Sequence, residues 1–297
     1  MKRKLVRQAS QAVTITLPIE WVRTNNLKPG DEIDVQQHEK DLILASGKKT
    51  VGGSIKVKTT ASPRKMRFIY INAAYAKGID EIELELNKEA YPELDQEIGY
   101  AVVSQKDKKY TIRDVSGVSS EDLDEIFKRV FQMIIKFYDS AIEDIFGESK
   151  ETYDTVSKMD HEINKFSLFL QRSIMKQSYP DPGLGKILFA YSFALEKIGD
   201  EILRLWRTNI QNKVKKDDKV KELVLLSKEG LAKAFAIYYQ TSDEKIKESI
   251  KVREEIRRKS IQLLNINPDT AKFIMQAVKI AEDSYDLLHL SLMKKLK

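Results

Sequence analysis

The chain changes its pattern of apolar and polar positions twice. Over residues 13–17 the two classes alternate with β-branched side chains among them, the period of a half-buried strand, and Pro18 then stands where it can open the helical turn IEWVRTNN. Leu27-Lys28-Pro29-Gly30-Asp31 carries turn chemistry, with Pro pre-setting φ and Gly free to take a positive φ. Alternating runs at residues 32–38 and 42–46 predict a hairpin joined through Glu39-Lys40-Asp41. A turn-rich basic stretch, SGKKTVGGSIKVKTTASP, reads as a linker or connecting strand. RKMRFIYINAAYAKG then has helical spacing and stops at Gly78, EIELEL alternates as a strand, and YAVVSQ-KDKK-YTIRDV predicts a second hairpin.

From about residue 119 the period becomes helical and stays so. Ser119-Ser120-Glu121-Asp122 is an N-cap signal. Leu123, Ile126, Phe127, Val130, Phe131, Ile134, Phe137, Tyr138, Ala141, Ile142 and Ile145 then recur at steps of three and four, up to a stop at Gly147. Further helices are predicted over 151–177, 184–211, 218–240, 243–264 and 269–295, separated by breaks such as Tyr179-Pro180-Asp181-Pro182-Gly183 and Asn265-Ile266-Asn267-Pro268-Asp269. The domains expected are therefore 1–50, a linker and small α/β segment at 51–118, and two three-helix bundles at 119–212 and 213–297. The aromatic residues of the helices fall mostly on apolar faces and are assigned to the core. Trp21 is assigned to the core of the first domain.

Charge is concentrated at one end. The 297 residues carry a formal +6, yet residues 1–60 hold eleven Lys and Arg against six Asp and Glu, which leaves +5 there and +1 elsewhere. Lys2, Arg3, Lys4, Arg7 and Arg23 are the candidate contacts to the backbone and groove of double-stranded DNA, since a two-fold dimer presents that set twice. A unit of under about 50 residues buries too little apolar surface to stand alone, so a homodimer is expected. No apolar run is long enough for a bilayer helix and no signal-peptide pattern opens the chain, so a cytoplasmic location is expected. The absence of cysteine excludes disulfides, thiol catalysis and thiolate metal sites.

The first 46 residues, with Thr16-Leu17-Pro18-Ile19-Glu20-Trp21 and Leu27-Lys28-Pro29-Gly30-Asp31, resemble the SpoVT/AbrB (MazE-like) swapped-hairpin family. The resemblance implies a dimeric DNA-binding β-barrel. Where that family often carries glycines before its first strand, this chain has Gln8-Ala9-Ser10-Gln11.

The six long helices form two sets of three, and the third of each set carries Glu and Asp four residues apart on one face: Glu196 and Asp200, then Glu282 and Asp286. Such pairs are common in a charged chain, as Asp139/Glu143 and Glu244/Glu248 illustrate; recurrence at matching places sets these two apart. This double E-x-x-x-D, with LEKIGDEI in the first copy, resembles the PhoU family of tandem three-helix bundles. The resemblance implies metal-binding carboxylate sites joined by residues of each second helix: Asp160 and Glu162 in the first repeat, Glu255 in the second, where Arg253 aligns with Asp160. Oxygen ligands suit Mg, Mn or Fe, and a nitrogen from His161 would shift the choice toward Fe or Zn.

No Gly-rich phosphate cradle and no nucleophile with a nearby base is present, so no enzymatic role is expected. The function expected is a transcriptional regulator of phosphate uptake whose helical module senses metal, phosphate or a partner. The alternative is an adaptor that binds a phosphate ABC transporter subunit or a sensor kinase, its barrel serving only to dimerise the chain.

Overall fold

The computed structural model describes residues 2–9, 12–38, 41–45, 53–59, 64–86, 92–116, 123–147, 153–176, 179, 181–264 and 268–296. They fall into two compact units, Met1–Gly53 and Ser54–Lys297.

In the first unit the predicted strand at 13–17 is shorter than expected and gains a partner. β1 (Val6–Ala9) pairs antiparallel with β2 (Ala12–Thr14), with Arg7 opposite Val13, so the basic N-terminus runs into a strand of its own. Residues 15–18 stand outside the ladder, and Pro18, extended and with no N–H to give, stands before α1 (Ile19–Thr24). The turn forms as read: Gly30 takes φ +98°, and the Lys28 N–H donates to the Asp31 carboxylate at 3.0 Å. β3 (Asp34–His38) and β4 (Asp41–Ala45) make the expected hairpin, in register from Asp34 opposite Ala45 to His38 opposite Asp41.

The second unit begins where a linker or connecting strand was expected. β5 (Ser54–Thr59) is a strand, lying parallel to β6 (Glu81–Leu86), and α2 (Arg64–Ala76) crosses between them as a βαβ unit. β7 (Tyr100–Lys106) and β8 (Lys109–Asp114) complete a sheet of order β5-β6-β8-β7. The alternation of EIELEL is realised as written: Ile82, Leu84 and Leu86 are buried with Ile71 and Tyr75 of α2. Their neighbours face outward into cross-strand ion pairs, Lys56–Glu83 at 2.8 Å, Lys58–Glu85 at 3.2 Å and Arg113–Glu81 at 2.5 Å.

Six helices follow: α3 (Leu123–Phe146), α4 (Tyr153–Lys176), α5 (Pro182–Gln211), α6 (Asp218–Tyr239), α7 (Asp243–Leu263) and α8 (Pro268–Lys295). The N-cap signal at 119–122 lies outside the described residues. α5, α6 and α7 carry side-chain caps at Asp181, Asp217 and Ser242, each accepting from a first-turn N–H. α3, α4 and α5 pack on one another, as do α6, α7 and α8, and α5 against α8 and α3 against α6 join the two sets. One hydrophobic core runs through both, with Phe127, Phe131, Tyr191 and Tyr238 meeting edge-on, tilted or, for Phe127 and Tyr238, stacked where the sets touch. Not every aromatic residue is internal: Phe193 and Tyr239 are half-exposed.

Arg172 of α4 fastens the helices to the sheet. Its buried guanidinium donates to the Ile79 carbonyl at 2.6 Å, to Asp114 at 2.7 Å and to Asp80, and lies over the rings of Tyr75 and Tyr100. A buried charge is tolerable only when it is paired and hydrogen-bonded, and both terminal nitrogens of this guanidinium are bonded.

Candidate functional site

The basic residues of the first unit sit on its surface. Lys2, Arg3 and Lys4 are exposed on the segment leading into β1, Arg7 is exposed on β1 itself, and Arg23 is exposed in the last turn of α1. The same unit exposes large apolar side chains: Leu5, Val6, Val13, Ile15, Ile19, Val35 and Leu42, with Leu5 70 % and Leu42 65 % accessible. α1 buries none of its residues, and Trp21 is only half-buried. Two separate two-stranded hairpins are marginal in water by themselves, so this surface calls for a partner.

In the first repeat the Asp200 charge on α5 acts on Asp160 of α4 and on Glu196 of its own helix, and shifts the ionisation of both. Burial, then the Asp200 charge, pushes the Asp160 carboxyl up to about 6 against the pull of Arg207, His161 and Arg204. Burial and Asp200 likewise raise Glu196. Asp160 Oδ1 is buried without a hydrogen-bond partner, while Oδ2 accepts from Asn164 at 3.3 Å. The hard oxygen donors and the orphaned carboxylate oxygen are of the chemistry that a hard divalent cation takes, although Arg204 and Arg207 also act on the group. Arg204, one turn beyond Asp200 and 3.6 Å from it, is a member of this group that sequence reasoning passed over; its i, i+4 spacing was the available signal.

Two neighbours point elsewhere. Glu162 is two residues from Asp160, hence on another side of the helix, and pairs with Lys165 at 3.7 Å. His161 turns to the loop before β7, its Nε2 3.3 Å from the Asp95 carbonyl and its Nδ1 3.4 Å from the Gln96 amide. In that loop Glu97 is buried beneath α2, and burial pushes its carboxyl up to about 7 despite the Gln96 N–H that it accepts.

The second repeat has the opposite character. Glu282 is gripped by Arg253 and Arg257 of α7, each at 2.6 Å. Burial works to raise the Glu282 carboxyl, but hydrogen bonds from Arg257 and Arg253 hold it below the usual range. Glu255 pairs with Lys259 at 3.3 Å and Arg258 at 3.6 Å on its own helix, and Asp286 is exposed one turn along α8. These residues do not fit a cation, because guanidinium groups already supply the positive charge. Among the described residues no three His, Asp or Glu side chains converge as a formed metal cage in either repeat.

Comparison with known families decides the character of the first unit. Residues 6–52 match the family described as MazE, antidote-toxin recognition, bacterial antitoxin. The N-terminal segment is a MazE/AbrB-like domain. A domain of this type suggests a regulator of the DNA-binding kind. No curated protein and no solved structure matches the chain. No described helix is long and apolar enough to cross a membrane.

Proposed function

We propose that this chain is a DNA-binding regulator of phosphate uptake in which a dimeric head grips an operator and the helical module carries the sensing site. The observation that supports it best is the MazE/AbrB-like segment, a domain type that binds DNA and dimerises, coupled to exposed Lys2, Arg3, Lys4, Arg7 and Arg23 on that same unit. In the dimer these cations appear twice and neutralise phosphates on a duplex, while the exposed apolar side chains close a shared core. Asp160, Glu196 and Asp200 would hold the sensed cation, a Mn, Fe or Mg ion by the hardness of their oxygens. The phosphate connection rests on the PhoU-like pattern of paired carboxylates.

Selection of oligonucleotides by the purified protein at about 150 mM salt, with and without metal and phosphate, tests the reading. Defined sites, enriched upstream of phosphate-transport genes, are expected. Exchanging Lys4 and Arg7 together for Ala should reduce the slope of log affinity against log salt by roughly two or more, the dimer losing four cations; an unchanged slope removes both residues from the interface.

A second reading is favoured by the apolar surface of the first unit, which demands association but is indifferent to DNA. There the head only dimerises the chain, and the helices bind a transporter subunit or a sensor kinase. Binding to random duplex that disappears by physiological salt is the outcome this adaptor predicts.

A further inference from the structure

Helix α2 is apolar on two opposite sides, and the described residues of its own chain bury one of them. Ile71, Ala74 and Tyr75 pack against the sheet. On the far side Met66, Ile69, Tyr70 and Ala73 recur at steps of three and four, with Met66 37 %, Ile69 64 % and Tyr70 45 % accessible and Ala73 exposed. From Met66 to Ala76 the helix carries a single charged residue, Arg67. A helix apolar all round belongs in an interior, so this stripe calls for a cover. The outer face of the sheet makes no such demand, since its lysines and glutamates neutralise one another.

We infer that the stripe is a second contact between two copies of this chain, made by their α2 helices packing antiparallel about a local two-fold axis. The inference rests on the reading that the head dimerises. Continuity along the chain favours a second copy: the matched segment ends at residue 52 and α2 begins at Arg64. Once the heads pair, the two stripes meet at an effective concentration on the order of millimolar. Size points the same way. Four side chains offer a few hundred Å², far below the roughly 1,600 Å² of a free-standing interface, which suits a contact that forms after another has brought the chains together. The stripe is also self-complementary, as a two-fold contact requires. With the axis near Ile69 and Tyr70, flexible Met66 of one copy meets small Ala73 of the other, and no charged side chain of the stripe faces its own image.

The absence of cysteine makes the test clean. Ile69→Cys and Tyr70→Cys are each introduced into the full chain and oxidised gently, with Lys109→Cys on the outward side of β8 as control. At least one of the two should form a disulfide dimer ten times faster than the control, and Ile69→Asp should raise the concentration at which the dimer dissociates at least tenfold while leaving helical circular dichroism intact. If the chain is a dimer by light scattering, yet neither cysteine cross-links faster than Lys109→Cys and Ile69→Asp dissociates like the unaltered chain, the α2 contact is overturned while the head dimer stands. A chain monomeric at micromolar concentration removes the head dimer and this contact with it.

Discussion

The two helical repeats carry the same Glu-x-x-x-Asp spacing and put it to opposite electrostatic use. Around Asp160 and Glu196, burial and the Asp200 charge make ionisation harder. Around Glu282 two arginines have already neutralised the charge. The lesson is that a carboxylate pair on one helix face does not make a cation site; what the neighbouring helix brings decides it. α4 brings Asp160 toward Glu196, whereas α7 brings Arg253 and Arg257 to Glu282.

The largest expected consequence is selective stabilisation by metal. A cation that binds the folded first repeat at one hundred times its dissociation constant stabilises by about 2.7 kcal/mol. Millimolar Mn²⁺ or Mg²⁺ should therefore raise the melting temperature of the unaltered chain. Asp160→Asn with Glu196→Gln should abolish the rise, and Glu282→Gln should leave it. A rise that survives in the Asp160/Glu196 variant would show that the ion binds elsewhere.

Neutralising one carboxyl in each repeat should have opposite signs. Glu282→Gln removes the charge partner of Arg253 and Arg257 and, screened by solvent, is expected to destabilise by about 0.5–1 kcal/mol. Asp160→Asn relieves crowding and, without metal, should stabilise by about 1–2 kcal/mol at pH 8. Denaturant titration measures both, and equal signs would break the contrast.

The pH windows differ for the same reason. Asp160, with a folded pKa raised to about 6, binds its proton more tightly folded than unfolded. Its unfavourable contribution is absent below the ordinary carboxylate range and develops as pH rises through about 6. The stabilisation by Asp160→Asn should accordingly fade between pH 8 and pH 4. Glu97, raised to about 7, works in the same direction, so Glu97→Gln should flatten the remaining loss of stability toward pH 8. Glu282, held low, contributes stability above the ordinary carboxylate range that is lost only as pH falls through its lowered value. A stability profile that does not change between pH 5 and pH 8 would contradict the Asp160 and Glu97 assignments together.

The smallest effect distinguishes how closely the helices approach. A Cβ on Gly199 of α5 would lie 3.2 Å from Ile163 Cγ2, whereas one on Gly230 of α6 would meet Val252 at 3.9 Å. Gly230→Ala should stabilise by about 0.5–1 kcal/mol through helix propensity, and Gly199→Ala should forfeit that gain to crowding. Equal gains at both positions would mean that the α4–α5 contact is looser than its geometry indicates.

Much of the architecture was legible in the chain. The ten residues buried along α3 are all among those picked out by three- and four-residue spacing, and the buried positions of β6 are the alternate residues of EIELEL. Less was visible wherever partners are distant. β5 reads as a linker or connecting strand, and the choice between the two depends on pairing with β6 across the α2 crossover. Asp80, Asp114 and Arg172 are far apart in sequence, and only the fold brings them together where β6 starts and β8 ends. Glu162 looked like a companion of Asp160 through nearness in sequence, yet two residues of helix turn it away.

By itself the sequence determined what is governed by neighbours a few residues apart: helix and strand periods, the caps and the Gly30 turn, the basic N-terminus, and the MazE/AbrB-like order of elements. Only the tertiary structure decided which carboxylates are crowded and which are neutralised, because the energy of a charge depends on its burial and on side chains delivered by other helices. It also decided that α2 keeps one apolar stripe outside. Periodicity marks a residue as apolar, but whether that residue is covered depends on everything else that folds around it.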